Sequence, residues 1–319
     1  MTIADITGAL VVVTGGAGFI GSHLVDGLLE RGARVRVLDN FETGRRENLA
    51  HVADRIELTE GDIRELEVCQ RVIAGADYVL HQAALGSVPR SMATPALTLA
   101  VNAGGTANVF TAARDAGAQR VVFASSSSVY GDSAKLPKRE GEEGKPLSPY
   151  ALSKWVNEEC AEVFERCYPL RLVGLRYFNV YGPRQDPNGA YAAVIPRFFA
   201  SCRAGDRPQI FGDGEQSRDF TYVQDVVAAN LMAMTAPLAP RAGECIAYNI
   251  GAGGRTTVKD LAETIIKVTG AACEPQFQAP RPGDVKHSTA DASRAKAAFG
   301  WEASIDLERG LSIAAEYYV

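Results

Sequence analysis

The sequence predicts an α/β protein built on a doubly wound parallel sheet, with a smaller α/β domain towards its C-terminus. Three observations predict this fold: strand-like and helix-like stretches alternate through the first half, a glycine-rich turn follows the first strand, and Pro becomes more frequent after Tyr181. Short apolar strands that alternate with helices need crossover connections, and such connections give a parallel sheet with helices on both faces.

The predicted elements follow one another in a regular order. The continuous apolar run at 10–13 is typical of a strand buried on both faces, whereas residues 20–29 carry apolar side chains at helical spacing. By the same patterns, further strands are predicted at 35–38, 56–58, 78–80, 121–123 and 172–177, and further helices at 68–73, 96–116 and after Pro149. Residues 226–240 predict a buried helix, because this segment is too short for a membrane span and contains Asn and Pro.

The length fits two domains or one large α/β unit, since 319 residues exceed the size of one average core. The loop at 182–191 concentrates Gly, Pro, Asn and Asp and marks a domain boundary. We expect residues 1–181 to form the sheet domain, with 219–250 returning to it. Residues 182–218 and 251–319 are expected to form the smaller domain, which would bind the substrate.

Composition and charge exclude several classes of function. Hydrophobic residues make up 46% and charged residues 22% of the chain, as in ordinary globular proteins. The 33 Lys+Arg and 38 Asp+Glu residues leave a net charge of −5, so no overall positive field is available to hold nucleic acid or an anionic membrane. Any anionic ligand must therefore be held by a few local cations.

Cysteine usage and the N-terminal residues point to the cytoplasm. Cysteines occur at positions 69, 160, 167, 202, 245 and 273, with no C-x-x-C pair and no accompanying His cluster. This pattern predicts free thiols in a reducing compartment and no metal site. The first residues are typical of a strand, since they lack the basic and long apolar regions of a signal peptide.

Gly15, Gly18 and Gly21 form a G-x-x-G-x-x-G turn between the first strand and the first helix. Such a turn lets the backbone approach a pyrophosphate, whose charge is then stabilised by helix N–H groups. Asp39 ends the second strand, where a carboxylate can accept hydrogen bonds from an adenosine ribose. The glycines alone would also suit a tight turn without a ligand. Together with Asp39 they predict a dinucleotide, and NAD rather than NADP, although the Arg pair at 45–46 could hold a 2′-phosphate.

Tyr150 and Lys154 are four residues apart and so lie on one face of a helix. A tyrosine with an ordinary pKa of ~10 is a poor base at neutral pH, but a nearby ammonium and a nicotinamide cation stabilise its phenolate. Ser125–Ser128 follow a strand at the edge where open α/β sheets bind ligands, and a hydroxyl there can hydrogen-bond a reacting oxygen. Each feature alone is common in helices and loops. Their order behind the glycine turn predicts a catalytic site.

These motifs resemble those of the extended short-chain dehydrogenase/reductases, a superfamily with a Rossmann-type fold, over almost the whole chain. The resemblance rests on TGGAGFIGSHL, LDN at 38–40, GDI at 61–63, HQAA at 81–84, VNAGGT at 101–106, SSSSVYG at 125–131, SPYALSK at 148–154 and LRYFNVYGP at 175–183. Within the superfamily the sequence is similar to the UDP-hexose 4-epimerases. HQAALGSVPRS at 81–91 and RQDPNGAYAAVIPRF at 184–198 most resemble bacterial UDP-N-acetylglucosamine 4-epimerases of surface-polysaccharide pathways.

The resemblance implies an NAD-dependent isomerase that transiently oxidises C4 of a UDP-sugar and returns the hydride to the opposite face. Tyr150 would remove the O4 proton, Lys154 would lower the pKa of Tyr150 and bind the nicotinamide ribose, and Ser126 would bond the same oxygen. The implied NAD-binding residues are Gly15, Gly18, Phe19, Ile20, Gly21, Asp39, Asn40, Asp62, Ile63, Ala83, Asn102, Tyr150, Lys154 and Tyr177. The implied UDP-sugar residues are Ser87, Ser127, Ser128, Asn179, Ala193, Val194, Arg218, Arg281, Asp284 and Ser288.

Differences from related families indicate which reaction the chain catalyses and which sugars it accepts. Related dehydratases carry an Asp-Glu pair before the V-Y-G motif and related decarboxylases carry a Glu, for their additional proton transfers. This chain has Ser127 and Ser128 there, which favours simple epimerisation. Ser288 matches a position that limits the sugar pocket, and a small residue there leaves room for an N-acetyl group. We therefore expect UDP-GlcNAc and UDP-GalNAc as substrates, and also UDP-Glc and UDP-Gal.

Three alternatives stay open at this point. The enzyme could instead be a narrow UDP-glucose or UDP-glucuronate 4-epimerase, with Arg90 or Arg184 facing the carboxylate. It could be an NAD(P)H-dependent keto-sugar reductase, or a dinucleotide-sensing binding protein, although Tyr150 and Lys154 argue against a sensor. The helices around 96–116 and 149–167 resemble the pair that forms a dimer interface in this family, so the resemblance also implies a homodimer.

Overall fold

The computed structural model of the chain is described over residues 3–188, 192–238, 246–280 and 286–318. Strands and helices alternate through its first half, as predicted. In chain order the elements are β1 (Leu10–Thr14), α1 (Phe19–Leu29), β2 (Arg34–Asp39), β3 (Ile56–Glu60), α2 (Leu66–Ile73), β4 (Tyr78–His81), α3 (Val88–Ala93), α4 (Pro95–Leu99), α5 (Gly105–Asp115), β5 (Arg120–Ser126), α6 (Pro149–Cys167), β6 (Arg171–Tyr177), β7 (Val180–Tyr181), α7 (Val194–Ala204), β8 (Gln209–Phe211), β9 (Ser217–Arg218), β10 (Thr221–Tyr222), α8 (Val223–Thr235), β11 (Ala247–Ile250), β12 (Thr256–Thr257), α9 (Val258–Thr269), β13 (Gln276–Gln278), α10 (Ser293–Phe299) and α11 (Leu307–Tyr318).

A seven-stranded parallel sheet forms the centre of the structure, in the order β11-β6-β5-β4-β1-β2-β3. The predicted doubly wound α/β fold is therefore confirmed. The order reverses beside β1, which pairs with β2 on one side and with β4 on the other. The loops that leave the carboxyl ends of these strands diverge at such a reversal and open a crevice for ligands.

Apolar side chains cover both faces of the sheet. One face packs against α1, α8 and α10, and the opposite face packs against α2, α5 and α6. A third apolar cluster joins α7, α9 and α11 beyond the sheet. The domain boundaries stay a prediction, but the last segment contributes to two of these cores: Phe299 and Trp301 are buried beside the sheet, whereas Leu311 belongs to the third cluster.

The helix predicted over 96–116 differs from the observed one. The chain forms α4, then a π-helical turn over Ala100–Gly104, and then α5, which ends at Asp115. The turn brings the buried Asn102 side chain to Leu85, where it accepts from the backbone N–H at 2.8 Å and donates to the carbonyl at 3.2 Å. Insertions of this kind commonly occur beside functional sites, and periodicity alone does not reveal them.

Two further predictions concern element ends and cysteines. β5 continues to Ser126, so Ser125 and Ser126 are the last residues of a strand and do not belong to a loop. The predicted helix at 226–240 begins earlier, at Val223, and ends at Thr235. The cysteines at 69, 160, 167, 202 and 273 are free, and position 245 lies outside the described residues. Within the described ranges, none of the helices has the length and apolar character of a membrane span.

Candidate active site

A cleft of about 700 Å³ opens at the carboxyl ends of the central strands. It extends from the glycine turn after β1 to the end of β6, across the point where the strand order reverses. Most of the predicted cofactor residues and two predicted substrate residues line it together: Gly15, Gly18, Phe19, Ile20, Gly21, Asp39, Asn40, Asp62, Ile63, Ala83, Ser87, Tyr150, Lys154, Tyr177 and Ala193. The fold thus assembles one site from segments that are far apart in sequence.

The glycine turn has the geometry that a dinucleotide pyrophosphate requires. Gly15 has a φ of +71°, and a Cβ there would lie 2.6 Å from the backbone N of Ala83. A Cβ on Gly21 would lie 2.0 Å from the Gly15 carbonyl oxygen, so the start of α1 packs directly on the turn. Gly18 is the N-cap of α1 and provides no side chain to cap its first-turn N–H groups. These N–H groups and the helix dipole fit a bound pyrophosphate.

Asp39, at the end of β2, stabilises the glycine turn through hydrogen bonds. Its buried carboxylate accepts hydrogen bonds from the backbone N–H groups of Ala17 at 2.9 Å and Phe41 at 2.8 Å. Burial raises the pKa of Asp39, and the two backbone hydrogen bonds oppose that rise. The carboxylate therefore fixes the shape of the turn in addition to lining the cleft where an adenosine ribose is expected.

A second acidic group forms the far rim of the cleft. Asp62 accepts hydrogen bonds from Asn40 Nδ2 at 2.9 Å and from Arg64 Nη2 at 2.7 Å. The Arg64 guanidinium is the main reason that the pKa of Asp62 falls to about 2. Asp62 is therefore charged at neutral pH, and its hydrogen bonds hold it beside Ile63 at the predicted adenine end.

Tyr150 and Lys154 line the opposite end of the cleft together with Ser125, whereas Ser126 lies beside Tyr150 and is absent from the cleft wall. Tyr150 and Lys154 lie one turn apart near the start of α6, and Lys154 Nζ is 6.0 Å from the centre of the Tyr150 ring. Ser126, at the end of β5, lies close enough to Tyr150 for its hydroxyl to lower the pKa of the phenol. Burial has the larger and opposite effect, so the Tyr150 pKa is raised overall. The phenol therefore needs cations beside it to ionise near neutral pH.

Lys154 is buried beneath the cleft, and Nζ donates to the Ala124 carbonyl at 2.8 Å. Burial lowers its pKa to about 8, and the carboxylate of Glu158 acts in the opposite direction. His81, also buried, lies close enough for the Lys154 charge to affect it, and burial lowers its pKa to about 3. At neutral pH the arrangement therefore places a protonated lysine beside a neutral histidine and a tyrosine.

Comparisons with known proteins identify the family of this chain. The family model described as the NAD dependent epimerase/dehydratase family matches residues 11–251. The chain is 38% identical to the UDP-glucose 4-epimerase of Mycolicibacterium smegmatis over 311 residues, which cover 96% of this chain and 97% of that protein. The chain belongs to the NAD-dependent epimerase/dehydratase family.

Solved structures extend the comparison to the whole fold. The UDP-glucose 4-epimerase of Thermotoga maritima with UDP-glucose has a TM-score of 0.90 and 40% identity, over 97% of this chain and 98% of that one. The UDP-N-acetylglucosamine 4-epimerase of Methanobrevibacter ruminantium M1, in complex with UDP-N-acetylmuramic acid, has a TM-score of 0.92 and 37% identity, over 98% of each chain. The predicted membership of the UDP-hexose 4-epimerases is confirmed, and NAD is the cofactor of this family.

Tyr177 also forms a hydrogen-bonded group with residues that the sequence did not single out as its partners. The Tyr177 hydroxyl donates to Gln82 Oε1 at 3.1 Å and accepts from Asn230 Nδ2 at 2.9 Å. Asn230 is fully buried in α8, and Gln82 lines the cleft after β4. An Asn within an otherwise apolar helix was the available signal, but a contact with Tyr177 could not be read from it.

Asn102 is placed differently from its prediction as a cleft residue. It is completely buried in the π-helical turn and is absent from the cleft wall. Its amide holds Leu85 and also donates to Ser153 Oγ at 3.1 Å, one residue before Lys154. Asn102 therefore supports the loop after β4 and the start of α6, because both of its amide atoms are committed to protein partners.

Of the remaining predicted sugar residues, those that the structure describes are absent from the wall of the main cleft. Ser127 and Ser128 begin a 3₁₀ turn that Ser126 caps, with Ser126 Oγ accepting from the Ser128 N–H at 3.2 Å. The Ser128 hydroxyl is buried and makes no hydrogen bond with the described residues. Val194 begins α7 and packs beside the third apolar cluster. Arg281 and Asp284 lie outside the described residues.

Asp219 joins three of the segments that carry the other predicted sugar residues, and no sequence motif pointed to it. Its backbone carbonyl accepts from Asn179 Nδ2 at 2.9 Å, and its carboxylate accepts from the N–H groups of Gly253 at 3.0 Å and Ala290 at 2.9 Å. Arg218 precedes it in β9, and the Ser288 N–H donates to the neighbouring Ser217 carbonyl at 3.1 Å. Asn179, Arg218 and Ser288 are thus brought together, although they are far apart in sequence.

The arginines of the cleft are bonded to carboxylates of the protein. Arg90 pairs with Glu42 at 3.5 Å, Arg184 with Asp26 at 2.8 Å, and Arg45 with Asp186 at 2.7 Å. Arg46 pairs with Glu60 and stacks on the Phe41 ring at 3.9 Å. The Arg pair at 45–46, which by sequence could hold a 2′-phosphate, is therefore ion-paired with Asp186 and Glu60.

Proposed function

We propose that this enzyme interconverts UDP-GlcNAc and UDP-GalNAc, and also UDP-Glc and UDP-Gal, by transient oxidation at C4. UDP-sugar 4-epimerisation as a class is supported by the relatives and by the structural neighbours. The observation that carries the mechanism is the position of Tyr150 and Lys154 at one end of the cleft, with Ser126 beside Tyr150. The extension to N-acetylated sugars is the part that needs its own test.

Tyr150 is the base that removes the O4 proton. The charge of Lys154 stabilises the Tyr150 phenolate, because an ammonium near the phenol favours its ionised form. Ser126 bonds the Tyr150 hydroxyl and the sugar oxygen, and so holds the donor and the acceptor of the proton in line. NAD, held by the glycine turn and by Asp39, would supply the acceptor and the source of the C4 hydride.

Inversion follows if the 4-keto sugar turns about the pyrophosphate linkage while the UDP group stays bound. Arg218 is a cation suited to the diphosphate, with Arg281 as its predicted partner outside the described residues. The Arg218 Nη1 also donates to the Ser217 carbonyl at 3.0 Å, which restricts the guanidinium. Binding energy is then concentrated on UDP, away from the reacting ring.

The sugar range rests on small side chains. Ser127 and Ser128 occupy the position where dehydratases and decarboxylases of this superfamily carry carboxylates, so the extra acid–base groups of elimination are missing there. Ser288 is partly buried and small, which leaves space for an N-acetyl group. The two structural neighbours are named for UDP-glucose and for UDP-N-acetylglucosamine, which supports both sugars.

UDP-glucuronate is a weaker candidate. Recognition of its carboxylate needs a cation that is free to bind it, and Arg90 and Arg184 were the candidates. Both line the cleft, but each is held by a protein carboxylate, Glu42 and Asp26 respectively. A charged sugar would have to compete with these ion pairs, whereas a neutral sugar would not.

The functional unit that we propose is a homodimer. Leu152, Val156 and Val163 form an apolar stripe on α6 and are 43%, 39% and 47% exposed. Met92, on the neighbouring α3, is 64% exposed. A continuous apolar surface of this kind is typical of an interface. Light scattering on the purified protein would distinguish a dimer from a monomer.

A product assay tests the proposed function. The purified enzyme is incubated with UDP-GlcNAc, UDP-Glc or UDP-glucuronate without added cofactor, and the 4-epimers are resolved by NMR. We expect turnover of the first two sugars and no net change in NADH.

Tyr150→Phe should lower kcat by roughly 10²–10⁴-fold with UDP binding retained, because it removes the general base. Tyr168→Phe, at an exposed tyrosine near the end of α6, is the matched control. Turnover of UDP-Glc alone, or an active Tyr150→Phe enzyme, would contradict the proposal.

A further inference from the structure

A buried ion pair lies directly behind the proposed catalytic residues. Glu158 follows Lys154 by one turn of α6 and is only 5% exposed. Its carboxylate accepts hydrogen bonds from Arg176 Nε at 2.9 Å and Nη2 at 2.6 Å, and from the Ser125 hydroxyl. Arg176 is 2% exposed in β6, beside Tyr177 of the cleft. The pair thus joins the three elements that carry Ser126, Tyr150, Lys154 and Tyr177.

The contacts extend further on the Arg176 side. Its guanidinium donates to the Tyr130 hydroxyl at 3.0 Å and to the Glu143 carboxylate. The Tyr130 hydroxyl in turn donates to Asn249 Oδ1 at 2.7 Å. Arg176 is therefore well satisfied by Glu143 and Tyr130 in addition to Glu158. Two carboxylates are more than a single guanidinium requires, and burial of an ion pair brings little net stability. The position of Glu158 therefore needs another explanation.

Glu158 lies one helical turn from Lys154, so its charge can stabilise the Lys154 ammonium. Lys154 is 3% exposed, and its ammonium is desolvated with the Ala124 carbonyl as a neutral acceptor. The charged or titratable groups around it are Tyr150 and Glu158 on α6 and His81 on β4. Among these, Glu158 is the carboxylate that opposes the desolvation of the ammonium. Around Glu158 itself, Arg176 of β6 and Glu162 of α6 are the other charged neighbours.

We propose that Glu158 is a positioning residue for the epimerase reaction: its carboxylate keeps Lys154 protonated beside Tyr150 and holds Ser125 at the end of β5. This inference rests on the proposed roles of Tyr150 and Lys154. Lys154 acts on the Tyr150 phenolate only while it is charged. Without a negative neighbour, a buried lysine loses its proton more readily, and the phenolate loses its stabilising cation.

The test compares Glu158→Gln with Glu159→Gln. Glu159 is the next residue on α6 and is exposed, so the control removes the same charge from the same helix. For Glu158→Gln we expect a fall in kcat of about ten-fold or more, with KM for the UDP-sugar within about two-fold. Glu159→Gln should leave both constants unchanged. Glu158→Asp, which retains the charge, should recover most of the lost kcat.

A direct titration separates this inference from the proposed function. In the Tyr150→Phe background Lys154 titrates without its coupled phenol, and ¹³Cε-labelled lysine reports its protonation by NMR. We expect Glu158→Gln to lower the Lys154 midpoint by about one pH unit, a ten-fold change in its protonated fraction. An unchanged midpoint would overturn the inference, even if kcat falls. An active Tyr150→Phe enzyme would overturn the proposed function, whereas the lysine titration would still report on Glu158.

A second variant covers the case in which Glu158→Gln does not fold. Removal of one partner leaves a buried Arg176 less well paired, which destabilises the protein. Glu158→Gln combined with Arg176→Met removes both charges, and such replacements of a buried pair are commonly tolerated. The double variant is compared with Arg176→Met alone, both in the Tyr150→Phe background, because these two proteins differ only in the Glu158 carboxylate. The Lys154 midpoint should be lower in the double variant, and equal midpoints would refute the role assigned to Glu158.

Discussion

The buried carboxylate of Asp219 makes a pH-dependent contribution to stability that Asp219→Asn should remove. Asp219 is fully buried, and Oδ2 accepts the N–H groups of Gly253 and Ala290. An asparagine oxygen can accept the same two hydrogen bonds, so the variant keeps the connection between these segments. What changes with pH is the charge, because the buried N–H group that replaces Oδ1 affects stability equally at every pH.

The size and sign of the effect follow from the pKa of Asp219. Burial raises it from 3.8 to about 6. The folded state therefore binds more protons than the unfolded state between these values, and the stabilising contribution, fully present below pH 3.8, is lost as the pH rises through 6. A difference of 6 − 3.8 corresponds to about 3 kcal/mol at 1.36 kcal/mol per pH unit. Relative to wild type, Asp219→Asn should therefore gain about 3 kcal/mol of stability between pH 4 and pH 7.

Urea unfolding at a series of pH values from 4 to 7 measures this difference directly. Other carboxylates also titrate in this range, but they contribute equally to both proteins and cancel in the comparison. Asp213→Asn, which removes an exposed carboxylate from the same segment, is the control and should show no such trend. A wild-type-to-variant difference that stays constant from pH 4 to 7 would refute the reasoning, since it would mean that Asp219 keeps an ordinary pKa when folded.

Two further substitutions test the turn and the core. Gly15→Ala combines a φ of +71° with a Cβ 2.6 Å from the Ala83 N, and we expect at least a roughly ten-fold loss of NAD after gel filtration, because the turn must open. Gly8→Ala, with a φ of +79° and open space around the Cβ, should keep NAD bound, and equal retention by both variants would contradict this account. Trp301→Ala removes a side chain that is 1% exposed and donates to the Asp225 carbonyl at 2.8 Å. It should lower the free energy of unfolding by about 3–5 kcal/mol in urea, and a loss below 1 kcal/mol would show that the site is poorly packed.

The parts of the site that the sequence predicted are those encoded by local spacing. The glycines of the turn, Asp39 at the end of β2, and Tyr150 and Lys154 on one helix face each depend on a few neighbouring residues and one strand or helix. Their positions around the cleft agree with the prediction because a parallel sheet necessarily brings the carboxyl ends of its strands to one edge. The main sheet and most element types were predictable for the same reason.

Long-range partners were not predictable in this way. Asn230 reaches Tyr177, Asp219 reaches Ala290, and Glu158 reaches Arg176, in each case through a side chain whose partner is set by packing. Asn102 shows the converse: its place in a motif suggested a cleft residue, but the π-helical turn directs its amide to Leu85. A polar residue in an apolar segment signals that a partner exists, and only the folded chain shows which one.

The sequence by itself was sufficient to predict three features. The hydrophobic periods predict the fold class, the conformational freedom of glycine predicts the turn after β1, and helical spacing places Tyr150 and Lys154 on one face. The protonation state of the pair depends on the folded chain. Burial raises the pKa of Tyr150 and lowers that of Lys154 to about 8, while Ser126 and Glu158 act in the opposite directions. Desolvation and charge act through space, so the residues that tune this chemistry become identifiable only when α6, β5 and β6 are packed together.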